Sequence, residues 1–127
     1  MEPFWLNIED CLNIHDKSLE HFGGADGIRD SGLLESALAR PQQLFHYEKA
    51  TLYELAACYA YGLIKNHPFI DGNKRTGYIA CALFLQSNGL LLIASEEDAL
   101  AHTVALAASQ IKEKDYANWL SNSCEEV

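Results

Sequence analysis

Positively charged residues are scarce in this 127-residue chain, which has 9 Lys and Arg against 18 Asp and Glu and a formal net charge of −9. Because proteins bind nucleic acids mainly through Lys and Arg contacts to phosphates, this shortage argues against direct nucleic-acid binding. The few cations are also clustered, since residues 65–75 contain Lys65, Lys74 and Arg75 against one acid, Asp71. A small cationic region in an acidic protein favours a compact anionic ligand over a polynucleotide.

The chain also lacks a long uninterrupted hydrophobic run. Its most apolar stretch, residues 78–94, is broken by the polar residues 86–89 and falls short of a membrane span. Residues 1–5 have no basic region followed by an apolar segment, so a signal peptide is not expected. These features predict a soluble, cytoplasmic protein that has no membrane partner.

The spacings that are typical of structural metal sites and disulfides are missing as well. There are four cysteines and no C-x-x-C pair: Cys11, Cys58, Cys81 and Cys124. We expect reduced and mostly buried thiols, because a free cysteine in an apolar helix behaves as a small hydrophobic residue. His15 and His21 are six positions apart, which does not bring them together for a metal, so we interpret them as surface or packing residues.

The sequence has no internal repeat, no low-complexity stretch and no linker rich in Pro or Gly. We therefore predict a single domain over residues 1–127, which is long enough to bury one sizeable core. The hydrophobic spacing indicates about six helices and almost no strand, so the predicted fold class is all-α, a compact bundle. The helices are expected near residues 7–22, 33–39, 50–66, 73–88, 95–109 and 114–122.

Two short segments between the predicted helices are expected to be extended. Pro41 should end the second helix, because the residue before a proline is disfavoured in the α region. Residues 42–49 are then predicted to form a short extended segment that could lie over a cleft. Residues 90–93 are predicted to form a second short extended piece.

The densest group of reactive side chains is the loop of residues 67–77, HPFIDGNKRTG, between two apolar helical stretches. The stretch after this loop is apolar on nearly every face, so it is expected to be buried on every face. Pro68 should end the preceding helix near His67. Phe69 is expected to be a structural anchor of the loop in the core, and Gly72 to permit a tight turn.

The start of the following helix carries an unusual charge pattern. Asn73 is predicted to be its N-cap. Lys74 and Arg75 then occupy the first turn, where cations oppose the helix dipole at a cost of ~0.3–1 kcal/mol each. A bound anion explains this placement, because free backbone N–H groups at a helix start, a glycine and two cations form a phosphate site.

Two further side chains complete the predicted chemistry. Asp71 lies beside the phosphate site and is a candidate ligand of Mg²⁺, which is usually held by one or two carboxylates and by phosphate oxygens. His67 is a candidate base for an attacking hydroxyl, since an ordinary imidazole titrates near neutral pH. A solvated helix cap would explain each of these residues alone, but it does not explain the whole set within one loop.

At this point the sequence resembles a known family. Residues 67–75, HPFIDGNKR, resemble the core motif of Fic/Doc proteins, H-x-F-x-[D/E]-[G/A]-N-[G/K]-R. Residues 27–41, GIRDSGLLESALARP, resemble the Doc (death-on-curing) branch. The resemblance covers most of the chain and implies a small fold of six helices.

The resemblance implies transfer of part of a nucleoside triphosphate, such as ATP, to a hydroxyl of a target protein. Typical Fic enzymes transfer AMP, but this chain departs from them twice: Lys74 stands where they have a glycine, and Tyr78 replaces their second arginine. Lys74 is the Doc-like residue. Doc-type proteins resemble kinases that pass the terminal phosphate to elongation factor Tu and arrest translation, so the expected function is a toxin with phosphotransferase activity.

The resemblance also implies a role for each residue of the loop. His67 is the base that acts on the target hydroxyl, and Asp71 orients the metal or the substrate. The anion hole is lined by Gly72 and Asn73, and the phosphates are held by Lys74 and Arg75. In the same comparison, residues 42–49 correspond to the flap that docks the target backbone.

A toxin of this kind requires restraint. Fic proteins that are regulated in cis carry a helix with the pattern [S/T]-x-x-x-E-[G/N], and the nearest match here, residues 31–36, lacks the final Gly or Asn. We therefore expect restraint in trans by a Phd-like antitoxin that covers the active site. The expected system is a toxin–antitoxin pair.

Three other functions remain open from the sequence. The first is AMP transfer of the Fic type. The second is an all-helical ribonuclease toxin, because Arg40 and His46 match the loose R-x(4–6)-H pattern of HEPN-type nucleases, although Pro41 directly follows the arginine. The third is a catalytically silent module that uses the loop only to bind a nucleotide or a partner.

Overall fold

The computed structural model describes residues 2–127, within which the chain forms six helices and one two-stranded sheet. The elements are α1 (Ile8–Phe22), α2 (Ser31–Glu48), α3 (Leu52–Asn66), α4 (Asn73–Ser87), β1 (Leu90–Leu92), α5 (Glu96–Ala107), α6 (Glu113–Ser121) and β2 (Cys124–Glu126). The prediction of an all-α fold with about six helices is confirmed.

Several helices begin at side-chain caps that the sequence encodes locally. Asn7 accepts a hydrogen bond from the backbone N–H of Asp10, whose side chain accepts one in return, and this capping box starts α1. Thr51 and Glu54 form the same reciprocal pair at the start of α3. The Ser95 hydroxyl accepts from the Asp98 N–H at the start of α5.

Helices α3 and α4 form the buried centre of the molecule. In α3, the side chains of residues 55–60 are fully buried, and this helix packs against α2, α4 and α6. A Cβ atom at Gly77 would lie 3.0 Å from Cγ1 of Ile64 and 3.1 Å from the carbonyl oxygen of Ala60. The absence of a side chain at this position therefore allows the start of α4 to lie directly against α3.

The prediction that Pro41 ends the second helix, with residues 42–49 extended, is wrong. Helix α2 continues through Pro41 to Glu48. A proline inside a helix costs about 3 kcal/mol or more. Burial offsets part of this cost, because Pro41 is itself buried and because Leu44 and Phe45, which are partly buried, pack on the core.

The predicted extended piece at residues 90–93 is confirmed as β1. Its partner, β2, was not predicted; it pairs antiparallel with β1 in the register Leu90↔Glu126, Leu91↔Glu125 and Leu92↔Cys124. A strand of three residues is too short to show the alternation of apolar and polar side chains from which strands are predicted.

The four cysteines are free thiols, as expected, and three of them are buried. Burial raises the pKa of the Cys58 thiol to about 12, so this group stays protonated and unreactive at neutral pH. Among residues 2–127, no helix combines the length and the apolarity that crossing a bilayer requires.

Candidate functional site

A cleft of about 650 Å³ lies between the loop that precedes α4 and the facing side of α5. One wall carries the polar side chains of the loop and of the first turn of α4. The other wall includes Ala99, Leu100, Thr103 and Val104 of α5. This volume lies within the range of small-molecule sites, roughly 300–1,000 Å³. A smaller cavity of about 230 Å³ lies between α1 and α4 and contains none of the predicted site residues.

His67 is the C-cap residue of α3, and its exposed side chain lines the cleft. Its backbone is left-handed, with φ 50° and ψ 54°, which is uncommon for a residue other than glycine. Arg29 holds this turn, because its Nε donates to the carbonyl oxygen of His67 at 2.6 Å and its Nη2 donates to that of Asn66 at 2.8 Å. A cation at the end of a helix also complements the helix dipole.

Residues 23–30, here called the strap, run along the loop and fix its path. Ile28 and Phe69 form an isolated antiparallel bridge. The N–H groups of Arg29 and Asp30 donate to the carbonyl oxygen of Pro68 at 2.7 and 3.0 Å. Ile70 N–H donates to the carbonyl oxygen of Gly27 at 3.0 Å. The loop is therefore held by backbone hydrogen bonds from a distant part of the sequence.

The Asp71 carboxylate is exposed, and backbone donors from two segments hold it. Oδ2 accepts from the N–H of Ala25 at 3.2 Å, and Oδ1 accepts from the N–H of Gly72 at 2.8 Å. These two hydrogen bonds, assisted by the charge of Arg75, lower the pKa of Asp71 below its usual value. Asp71 is therefore ionised at neutral pH.

The prediction that Asn73 caps α4 is wrong. Gly72 is the N-cap, with φ 79° in the left-handed region, and Asn73 is the first residue of the helix. The buried amide of Asn73 instead pairs with the backbone of Phe69: Oδ1 accepts from the Phe69 N–H and Nδ2 donates to the Phe69 carbonyl oxygen, both at 3.0 Å. The side chain of Asn73 thus closes the loop, and its backbone N–H is one of the free donors at the start of α4.

The start of α4 is open at the polar end of the cleft. Within residues 2–127, no side chain caps this helix, and Lys74 is exposed without an ion-pair partner. Arg75 lies over the ring of Phe22, with Cζ 5.0 Å from the centroid, and donates to the carbonyl oxygen of Gly23 at 3.3 Å. This arrangement of free N–H groups and cations can bind a phosphate.

Lys65 does not belong to the cationic group that the sequence suggested. Its ammonium group donates to the carbonyl oxygen of Ala107 at 3.0 Å and to the hydroxyl of Ser109, where it closes the end of α5. The cations that line the cleft are therefore Lys74 and Arg75.

Phe69 is only 1% exposed and lies in the core. Its ring stacks on the imidazole of His15 with the centroids 3.8 Å apart and the planes within 7°. His15 is itself buried, and its Nε2 lies 2.8 Å from the carbonyl oxygen of Asp71. His15 therefore packs in the core, as one of the two interpretations had it, and it also contacts the candidate site directly.

Tyr78 and Glu96 line the cleft beyond the phosphate end. Tyr78 occupies the position at which AMP-transferring Fic proteins have their second arginine. Burial raises the pKa of its phenol, and the nearby Cys81, Cys124 and Glu96 add to the shift. This part of the cleft therefore offers a neutral hydroxyl and a carboxylate where a second cation was expected for AMP transfer.

The residues of the alternative hypotheses lie elsewhere. Arg40 forms an ion pair of 2.8 Å with Glu113 and lies over the ring of Tyr61, whereas His46 lies 3.7 Å from Glu2. The two side chains of the nuclease-like pattern are thus engaged separately. Residues 31–36, the nearest match to a cis-inhibitory pattern, form the start of α2.

The sequence assigned no role in the site to Arg29 or the strap, and it indicated no contact between His15 and the loop. All three act across long sequence separations, 38 residues for Arg29 to His67 and 56 for His15 to Asp71. No local spacing signals such contacts. The one available signal was that residues 27–41 resemble a Doc-like stretch.

The six-helix fold and the HPFIDGNKR loop at the open start of a buried helix define a domain of the kind that the resemblance implies. A family model described as the Fic/DOC family matches residues 5–85. The chain is 34% identical over 116 residues to the "Protein kinase doc" of Escherichia phage P1, covering 91% of each protein. It is 44% identical over 92 residues to the "Toxin Doc" of Mycolicibacterium smegmatis, covering 71% of this chain and 68% of that protein. The chain belongs to the Fic/DOC family.

Proposed function

We propose that this protein is a Doc-type toxin that transfers the terminal phosphate of ATP, or of another nucleoside triphosphate, to a hydroxyl of a target protein. The observation that carries the proposal is the pairing of Lys74 at the open start of α4 with Tyr78 further along the same cleft. The two relatives, named a protein kinase and a toxin, support both halves of the proposal. The target is elongation factor Tu, and the result is arrest of translation.

Different residues of the cleft have different roles in the proposed reaction. The first N–H groups of α4 and the side chains of Lys74 and Arg75 bind the phosphates. His67, exposed at the cleft, takes the proton from the target hydroxyl as its oxygen bonds to the γ-phosphorus, and the nucleoside diphosphate leaves. Phosphoryl transfer depends mainly on positioning and on charge stabilisation, so a small site with few reactive groups is sufficient.

Mg²⁺ fits the residues that are present. Asp71 is ionised, and each of its oxygens accepts one backbone hydrogen bond and retains a free lone pair. One carboxylate together with phosphate oxygens and water is an ordinary way to hold this ion. When bound, it would neutralise charge on the phosphates, and Asp71 would be the residue that holds it.

The test is to incubate the purified protein with a cell extract and with ATP labelled at either the α or the γ phosphate. We expect label on a protein of the size of elongation factor Tu from the γ position only, and the same result with the purified factor. Label from the α position would contradict phosphate transfer and would support AMP transfer. Nucleotide binding with no transfer would support the silent module.

Two variants assign the roles within this assay. His67→Ala should abolish both labelling and toxicity, and full toxicity of this variant would contradict its role as the base. Lys74→Ala should weaken nucleotide binding and transfer, whereas Lys114→Ala, which removes an exposed lysine of α6, should change neither. RNA degradation that depended on His46 but not on His67 would instead support the ribonuclease.

The apolar side of the cleft supports the proposal of an antitoxin partner. Phe22 and Leu100 are each 66% exposed and Val104 is 43% exposed, although all three line the cleft. Contiguous exposed apolar side chains mark interaction surfaces. A Phd-like antitoxin segment that covers them would also block access to His67.

A further inference from the structure

His15 is a buried polar residue outside the motif that touches the loop in two ways. It lies on α1 and is 2% exposed. One contact is the parallel stack with Phe69, at 3.8 Å between centroids. The other joins Nε2 to the carbonyl oxygen of Asp71 at 2.8 Å. The two contacts reach residues on either side of Ile70, so they act on the same short piece of backbone.

The partner of Nε2 determines the state of this nitrogen. A carbonyl oxygen can only accept, so Nε2 carries the hydrogen and donates it. A buried donor that loses its acceptor is costly, which makes the contact resistant to displacement. The stack on Phe69 restricts the orientation of the ring, and therefore the direction in which Nε2–H points.

The hydrogen bond completes a three-point hold on Asp71. His15 holds its backbone carbonyl, while the N–H groups of Ala25 and Gly72 hold its carboxylate. A Cβ atom at Gly72 would lie 3.8 Å from Nε2 and Cδ2 of His15, so the ring also lies against the turn that starts α4. Asp71 is thereby fixed from α1, from the strap and from its own turn.

We propose that His15 is a positioning residue of the phosphate-transfer site, which aims the Asp71 carboxylate and the Gly72 turn into the cleft. Its catalytic consequence depends on the proposed function, whereas its effect on the loop does not. This role differs from packing in one respect. A phenyl ring at position 15 would fill the same space and stack on Phe69, but it could not donate a hydrogen bond to Asp71.

A competing explanation is a cation bound beside the loop. His15, Asp16 and Asp26 each offer one ligand atom, and these atoms lie within 4.8 Å of one another. Asp16 and Asp26 are exposed, and a group of acids alone does not define a metal site. The experiment therefore includes a variant that removes this possibility without touching the contact to Asp71.

Two substitutions separate the donor from the ring. His15→Phe keeps the stack and removes the hydrogen bond, whereas His15→Gln places an amide donor near the position of Nε2 and removes the ring. Asp16→Asn is the matched control for the cation explanation. Thermal unfolding of each variant establishes that it is folded before the other measurements are made.

The first readout does not require activity. Amide exchange rates of Ala25, Ile70 and Gly72, measured by NMR, report the order of the loop, and an amide in the centre of α3 is the reference. We expect roughly tenfold faster exchange in His15→Phe, the change that loss of one typical hydrogen bond makes to a local opening equilibrium. His15→Gln should stay close to the parent protein, as should Asp16→Asn.

The second readout is the γ-phosphate transfer assay. His15→Phe should raise the half-saturating Mg²⁺ concentration or lower kcat by about 10- to 100-fold, as loss of a residue that orients a metal ligand does. KM for the target protein should stay unchanged, and His15→Gln should recover most of the loss.

Three outcomes would overturn the inference. His15→Phe with unchanged exchange and unchanged Mg²⁺ dependence would reduce His15 to packing. Effects that Asp16→Asn reproduced would assign them to a bound cation. If His15→Gln restored neither the amide exchange rates nor the phosphate transfer, the ring of His15, and not its hydrogen-bond donor, would be the important feature. If the parent protein transfers no phosphate, the proposed function fails, and the exchange rates still decide the role of His15.

Discussion

The guanidinium of Arg29 donates a hydrogen bond of 2.6 Å to the carbonyl oxygen of His67, so the residue that bears the proposed base is held through its backbone. The second bond of Arg29, to Asn66, uses the other arm of the same planar group. A left-handed residue between a helix and a proline has few local constraints. Arg29 supplies the missing constraint from 38 residues away.

Replacing Arg29 should therefore affect the reaction more than the binding of nucleotide. Arg29→Ala removes two hydrogen bonds, so the C-terminal end of α3 and the start of the loop are free to move. We expect a fall in kcat of roughly tenfold or more, since small misplacements of reacting groups cost up to about 10²-fold. Nucleotide affinity, measured by calorimetry, should change little because Lys74 and Arg75 are untouched.

The control for this change is Arg29→Lys, which keeps the charge at the end of α3 but cannot make both bonds with a planar fork. Its kcat should fall between those of the parent and of Arg29→Ala. Equal activity of all three proteins would show that the contact to His67 does not position the base.

Two neighbouring glycines of the strap allow a matched comparison. A Cβ atom at Gly24 would lie 2.8 Å from Oδ2 of Asp71, whereas a Cβ atom at Gly23 would meet nothing within 4 Å. Both residues have positive φ, at 76° for Gly23 and 122° for Gly24, in a region that residues other than glycine rarely adopt, so each change to alanine carries backbone strain of roughly 1–3 kcal/mol. Only Gly24→Ala also displaces the Asp71 carboxylate.

We therefore expect a loss of thermal stability in both variants, larger in Gly24→Ala because its Cβ also displaces Asp71 from the hydrogen bond to Ala25 and lies 3.2 Å from Leu19. A loss of phosphate transfer is expected mainly in Gly24→Ala. Differential scanning calorimetry gives the first quantity and the γ-label assay the second. If both variants transferred phosphate at the same rate, the close approach of the strap to Asp71 would have no role in the site.

The sequence predicted those elements whose signals are local. The helical spacing of the apolar residues predicted helices near residues 7–22, 50–66 and 95–109, close to the observed bounds of α1, α3 and α5. The loop chemistry was also visible, because its reactive residues are adjacent in sequence. Local rules of this kind do not depend on the remainder of the fold.

The errors arose where tertiary contacts outweighed a local preference. Pro41 disfavours a helix, yet burial of its neighbours carries α2 past it. Asn73 is a preferred capping residue, yet its amide is used by the backbone of Phe69, and Gly72 takes the cap because it can adopt φ 79°. The contacts that bury α2 are tertiary. The Phe69 backbone is only four residues before Asn73, but it lies within reach of the Asn73 amide because the strap fixes the path of the loop.

The charge state of Asp71 makes a prediction about acid stability. Hydrogen bonds from Ala25 and Gly72 lower its pKa in the folded protein, so the ionised form stabilises the fold at pH values above the unfolded pKa, which is about 3.9. That contribution is lost as the pH falls through the lower, folded pKa. The Asp71→Asn variant lacks this stabilising contribution at every pH.

The difference in unfolding free energy between the parent and Asp71→Asn should therefore be constant near neutral pH and shrink under acidic conditions. Urea unfolding at a series of pH values measures it. Asp16→Asn, which changes an exposed aspartate outside these hydrogen bonds, is the matched control. A difference that grew as the pH fell would contradict the sign of the pKa shift.

The apolar wall of the cleft predicts which substitution should prevent the antitoxin from binding. Leu100 is 66% exposed in the cleft, and Leu91 is 45% exposed on β1, outside it. Leu100→Asp places a charge on the surface that the antitoxin is proposed to cover, and a buried unpaired charge is costly. Leu91→Asp makes the same chemical change elsewhere, so it is the matched control.

Co-expression with a Phd-like antitoxin should therefore rescue growth for the parent protein and for Leu91→Asp, but not for Leu100→Asp. Affinity measured by calorimetry on His67→Ala backgrounds, which avoids toxicity, should fall by at least tenfold for Leu100→Asp, as expected when a side chain near the centre of an interface is lost. Equal rescue of both leucine variants would place the antitoxin on another surface. In that case the exposed apolar side chains of the cleft would be left to contact the nucleotide or the target protein.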